Sequence, residues 1–130
     1  MIAALLLATA APASADRACE NPLTQQAMNH CAAQEYERAD AALNAQWDIT
    51  VAVMKKRDAN RTMPRDKRPG HHATLLEAQR AWLKYRDAHC RGEGYSFRGG
   101  SMEPLVFSTC MTALTEERTK QLRALIDTQG

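Results

Sequence analysis

Cys19, Cys31, Cys90 and Cys110 are the side chains of this 130-residue chain with the most distinctive chemistry. Four thiols can hold a metal ion, act as nucleophiles or pair as disulfides. A zinc site needs ligands a few residues apart, as in CxxC or HxxxH, and neither spacing occurs. An even count in a small exported domain predicts two disulfides instead, and oxidation removes the sulfurs as nucleophiles. Three connectivities are possible. Cys19–Cys31 with Cys90–Cys110 closes the shortest loops and is the expected pairing. Antiparallel first and second helices would also bring Cys31 near Cys90, so a second connectivity stays open. Each bond should stabilise the fold by roughly 3 kcal/mol, mainly by restricting the unfolded chain.

Other reactive groups are sparse. His30, His71, His72 and His89 include one adjacent pair, but neighbours on a helix point about 100° apart. No third ligand stands at a useful spacing, so no metal and no cofactor is expected. Ser101 has no GxSxG around it and suits a helix N-cap. The carboxylates fall mostly on polar faces, whereas a glycosidase needs two that converge on a cleft. The chain is therefore read as a binding protein and not an enzyme.

Residues 1–15 read MIAALLLATAAPASA. An apolar run ending in Ala13-Ser14-Ala15, with charge starting at Asp16, predicts a secretory signal peptide. The run is too short to span a bilayer, which takes roughly 20 apolar residues. The expected organisation is a leader over 1–15 and one domain over 16–130, placed in the periplasm or secreted.

The elements that position these residues are helical. Thr24 is a plausible N-cap, and no Pro or Gly follows until the connector after Lys56. Met28, Ala32, Tyr36, Ala39, Leu43, Trp47 and Met54 form one apolar stripe of a long first helix. Glu37, Asp40, Asn44 and Asp48 form a separate stripe, expected to be solvated and acidic. A second helix is predicted from about His72 to Cys90. Leu75, Leu76, Gln79, Trp82, Leu83 and Arg86 line one side of it. Gln79 and Arg86 lie either at the edge of that face or in a buried polar network, which must be fully hydrogen-bonded to be tolerated. Four glycines between Gly92 and Gly100 predict a loop. A third helix, N-capped by Ser101, runs from about Met102 to Asp127 with Val106, Cys110, Ala113, Leu122, Leu125 and Ile126 inward. No stretch alternates with period two. The expected fold is all-α: a small antiparallel three-helix bundle with a long first helix, clamped by two disulfides.

Charge is unevenly placed. Residues 55–70, KKRDANRTMPRDKRPG, hold seven Lys/Arg and two Asp, while the whole chain carries only +2. The remainder is thus about −3, and the basic surplus sits in one Pro- and Gly-containing connector. Without interleaved aromatics it gives no argument for nucleic acid. A solvated connector is the plain reading. Contact with wall polymers or lipid headgroups through Arg61, Arg65, Lys67 and Arg68 is the alternative, and membrane contact would be at most peripheral.

Several segments resemble one known family. Gln25-x-x-Met28-Asn29-x-Cys31-Ala32-x-x-Glu35-Tyr36-x-x-Ala39-Asp40-x-x-Leu43-Asn44 is similar to the first helix of the LprI-type lysozyme-inhibitor domain family. Ala78-Gln79-Arg80-Ala81-Trp82-Leu83-x-Tyr85-Arg86-Asp87-Ala88-x-Cys90 looks like its most recognisable block. Gly99-Gly100-Ser101 and Cys110-x-x-x-Leu114-Thr115-x-x-Arg118-x-x-x-Leu122 complete the likeness. It implies a secreted or envelope-associated protein, with a lysozyme as the possible protein partner. The family's named member is a lipoprotein. This chain has Asp16 after the predicted cleavage point and no cysteine there, which implies a product without a lipid anchor. Gln79, Trp82, Arg86, Gly99, Gly100, Ser101 and Arg118 are taken as the fold signature.

The preferred binding element is the Gly-rich loop, through Glu93, Tyr95, Phe97 and Arg98. Tyr and Arg are common at interface hot spots. Tyr95 and Phe97 folded back as a lid on the small core is the competing expectation. The acidic stripe of the first helix is a second candidate surface for a cationic partner.

Overall fold

A computed structural model describes residues 18–60, 62 and 64–127. The predicted leader lies outside the described residues, as does Arg61. Helix α1 spans Gln25–Ala59, α2 spans His71–Gly94 and α3 spans Glu103–Asp127, with a 3₁₀ turn at Tyr95–Phe97. A short helical stretch at 18–20 precedes α1. No strand occurs among the described residues.

Thr24 starts α1 as expected: its Oγ1 accepts the Ala27 N–H at 3.0 Å. Thirty-five residues carry α1 over about 52 Å at 1.5 Å per residue. Asn29 Nδ2 reaches the Ser101 carbonyl, Thr50 Oγ1 the Leu122 carbonyl and Arg57 the Leu125 carbonyl. Both helices ascend through these contacts, so α1 and α3 run parallel. Helix α2 descends between them, giving an up-down-up bundle.

The end of α1 organises the other two helices. Asp58 accepts the His71 and His72 N–H groups at 2.7 and 3.0 Å. It thereby satisfies orphan donors of α2 and sets a negative charge at that helix's positive end. Those two hydrogen bonds, His72 first, hold the Asp58 pKa below its ordinary value. Gly70 makes the approach possible, because a Cβ there would lie 2.8 Å from Asp58 Oδ1. Arg57 Nη1 donates to the Leu125 carbonyl at 3.2 Å, placing a cation at the C-terminal end of α3.

The core has two apolar parts. Leu43, Met54, Leu75 and Leu122 pack with Trp47, Val51, Trp82 and Ile126. Cys90, Cys110 and Met111 pack with Tyr36, Phe107 and Leu114. Between them, along all three helices, lies a polar layer. Gln79, Arg86 and Thr115 are buried there, the last completely. Gln79 and Arg86 are therefore core residues and not edge residues.

Both expected disulfides are present, Cys19–Cys31 and Cys90–Cys110, with Cα separations of 5.5 and 5.4 Å. No cysteine is free.

Four details depart from the sequence reading. Helix α2 continues through Gly92 and Gly94, and Gly94 packs against the start of α3, where an added Cβ would make ordinary contact with Glu103 and Phe107. The loop is correspondingly shorter. Met102, not Ser101, precedes α3, and its carbonyl accepts the first helical N–H, from Val106. Leu83 and Leu125 are exposed, as is Ala113, while Ser108, Thr115 and Thr119 face inward. Asp40 does not join a solvated stripe. It is half-buried and lies 3.9 Å from Arg86, whereas Glu37, Asn44 and Asp48 are exposed.

Candidate functional site

The segment Tyr95–Met102 joins α2 to α3 at one end of the bundle. Its conformation follows from its glycines. Gly100 N donates to the Phe97 carbonyl at 2.8 Å, closing a four-residue turn. Arg98 at its second position has φ −55° and ψ 123°. Gly99 at its third has φ 78°. These are the dihedrals of a type II turn, which requires positive φ at that third position and so favours glycine. Arg98 stands at the corner of the turn. Its guanidinium carbon lies 4.5 Å from the centroid of the Tyr95 ring, a cation–π distance.

The turn is held by two tethers from outside and one hydrogen bond within it. Cys90–Cys110 ties the last turns of α2 to the second turn of α3. The Arg98 N–H donates to the Tyr95 carbonyl at 3.1 Å, extending the 3₁₀ turn. Asn29 of α1, itself accepting from Gln25 Nε2, donates to the Ser101 carbonyl at 2.9 Å.

Tyr95 and Phe97 do not fold back as a lid. They are 46% and 42% exposed, and Met102 joins them at 38%. Phe97, Arg98, Gly100 and Met102 border a shallow depression of about 360 Å³. Glu93 stands apart from this surface. It sits in the last turn of α2 and its Oε1 is 3.0 Å from His89 Nε2. Ser101 contributes its carbonyl. The sequence pattern gives no reason to place Met102 or Asn29 at the site. Methionine in a helix-start position carries no signal of exposure, and Asn29 acts across 72 residues of sequence.

Gly99, Gly100 and Ser101 of the fold signature lie in the turn itself, whereas Gln79, Trp82, Arg86 and Arg118 have a different role. Arg86 donates to Thr115 Oγ1 at 3.2 Å and to Asp87 Oδ1 at 3.0 Å. Its guanidinium carbon lies 5.0 Å from the Trp82 ring centroid and 5.5 Å from that of Tyr36. Arg118 donates to Gln79 Oε1 at 2.9 Å and lies 6.0 Å from the Trp82 ring centroid. Trp82 thus has both guanidinium groups within reach. Burial pushes the Tyr36 hydroxyl pKa up, against the lowering effect of Arg86. Burial lowers that of Arg118. These residues hold the three helices in register and lie away from the exposed turn.

His89, Glu93 and Cys110 offer three ligand atoms within 4.8 Å of one another. The Cys110 sulfur is bonded to Cys90, so it is no thiolate donor. The basic connector lies at the opposite end of the bundle. Arg65 and Lys67 are exposed there, as is Arg68, which pairs with Asp66. Among the described residues no helix is long and apolar enough to cross a membrane.

A hydrogen-bonded turn with exposed aromatics thus closes one end of a small disulfide-clamped helical domain. The chain belongs to the lysozyme inhibitor LprI family, whose profile matches residues 15–122. It is similar to an uncharacterized protein of Rhizobium meliloti (strain 1021), 40% identical over 126 residues that cover 95% of this chain and 91% of the relative. No solved structure matches it.

Proposed function

We propose that the protein is an exported, non-enzymatic lysozyme inhibitor that blocks its target's substrate cleft with the Tyr95–Met102 turn. Family membership supports the inhibitor role. Two disulfides suit an oxidising compartment, in keeping with export. The observation that carries the choice of surface is the pair of half-exposed rings, Tyr95 and Phe97, on a turn fixed at both ends. Rigid aromatic side chains lose little conformational entropy on binding, and prior tethering lowers that cost further. A convex turn complements a concave cleft, and blocking it needs no reactive side chain.

The test is lysis of bacterial cell walls by c-, g- and i-type lysozymes in the presence of the purified oxidised protein. Inhibition of at least one type at micromolar protein, relieved by excess soluble wall oligosaccharide, is expected. No inhibition of any type removes the proposal. Inhibition that oligosaccharide leaves unchanged removes the cleft.

The basic connector supports a second reading, contact with anionic wall polymers. Its exposed Arg65 and Lys67 point to a surface independent of the turn. Sedimentation with purified cell walls should then weaken with salt, because exposed charges are screened beyond about 8–10 Å. Salt-independent sedimentation, or none, contradicts it.

A further inference from the structure

Arg98 is the one cation in the exposed turn, and its surroundings are unusual for a surface arginine. The type II turn fixes its backbone at the corner. The Tyr95 ring supports its guanidinium from one side. Among the described residues no carboxylate lies within ion-pair distance of it. Half-exposed Tyr95 and Phe97 stand within three residues of it in sequence. On binding, apolar groups of this kind exclude water around a central polar contact and strengthen it.

A guanidinium held in this way recognises a planar anion, and carboxylate is the best geometric match for its fork of donors. Glycoside hydrolases of the paired-carboxylate type carry two such groups across the scissile bond, about 5–10 Å apart depending on stereochemical outcome. We infer that Arg98 is the specificity residue of the turn and pairs with a catalytic carboxylate of the target. This inference rests on the cleft-blocking reading above and adds the atom-level contact. The guanidinium would occupy the place where positive charge develops on the substrate, so it would engage the target's chemistry and not only its shape. The partner is thereby restricted to hydrolases with an ionised carboxylate at the base of an open cleft.

A double-mutant cycle tests the pairing. Binding of the oxidised protein to an inhibited lysozyme is measured by calorimetry, with Arg98→Ala on one side and the target's ionised catalytic carboxylate changed to its amide, Asp→Asn in a c-type enzyme, on the other. Arg98→Ala should weaken binding at least about 30-fold, the loss typical when one partner of a buried charge pair is removed. The two changes should be coupled, their combined effect falling short of the product by at least about tenfold. Arg98→Lys should recover part of the loss. Matching melting curves for the variants confirm the fold.

Arg98→Ala binding within about twofold of the parent, or losses that simply multiply, overturn the inference. If Tyr95→Ala and Phe97→Ala weaken binding while Arg98→Ala does not, the turn is still the blocking surface and the charge contact is wrong. If the parent protein binds none of the c-, g- or i-type lysozymes, the cleft-blocking reading itself fails and this inference falls with it.

Discussion

Burying Arg86 is costly, and the structure offsets that cost with several partners. Its side chain is 6% exposed, with Thr115, Asp87 and the more distant Asp40 as polar neighbours and two aromatic rings beside it. Removing the guanidinium leaves the buried Thr115 hydroxyl without its donor and two aromatic rings without their packing partner, whereas Asp87 and Asp40 can turn to water. Arg86→Ala should therefore lower stability by about 1–3 kcal/mol, read from denaturant unfolding of the oxidised protein. Arg86→Lys should recover little, because a compact ammonium cannot bond Thr115 and stack on Trp82 together. A loss below about 0.5 kcal/mol would show that the polar layer does not hold the helices. The block around Arg86 and Trp82 was recognisable in the sequence, but its depth was not. Gln79 and Arg86 occupy the periodic positions of an inward face with polar side chains, and periodicity alone cannot separate an edge from a satisfied interior. The same limit hid Thr50 and Thr115, both fully buried, since a threonine reads as surface until its hydroxyl finds a partner.

Helix α1 directs the other two helices through its last turn. Asp58 serves α2 as a cap donated from another element. A sequence window cannot show this, because cap and helix are 13 residues apart. Asp58→Asn should lower the melting temperature at neutral pH. The folded-state pKa of Asp58 is depressed, so its contribution is full above the unfolded value of about 4. It is lost as pH falls through the lower folded-state pKa. The gap between parent and Asp58→Asn melting temperatures should accordingly narrow in acid. A gap that is constant or widens on acidification contradicts the capping role. In the turn, Gly99→Ala forces a side chain into the left-handed region and should cost roughly 1–2 kcal/mol. Its effect on lysozyme inhibition should exceed its effect on stability, because the turn geometry that presents Arg98 is lost. The four glycines of 92–100 announced a break in the sequence, yet two of them continue α2. Glycine is only weakly unfavourable in a helix, about 1 kcal/mol relative to alanine, and contact with α3 outweighs that. The positive φ at Gly99 is the one position in that run where glycine's freedom is used.

The molecule as a whole is a modest bundle whose proposed binding end, the junction of α2 and α3, is closed by a disulfide. Its apolar core is split by a polar layer, and the sequence has only two Phe and two Trp. A domain this small leans on covalent closure. The pairing was readable from loop length, and the helix count from period and breakers. The parallel course of α1 and α3 follows from their order around α2. Replacing Cys90 and Cys110 together by Ala should reduce stability by roughly 3 kcal/mol. It should also raise hydrogen exchange in Tyr95–Met102 well before the global transition, because the junction between α2 and α3 is no longer closed. Unchanged exchange there would mean that helix packing alone fixes the turn.

Amide hydrogen exchange of the oxidised protein, with and without an inhibited lysozyme, would locate the contact surface directly. Slower exchange concentrated in the segment from Tyr95 to Met102, with the Lys55–Gly70 connector unchanged, is the expected result. Protection confined to the connector or to the outer face of α1, while the aromatic turn exchanges as in the free protein, would contradict the account.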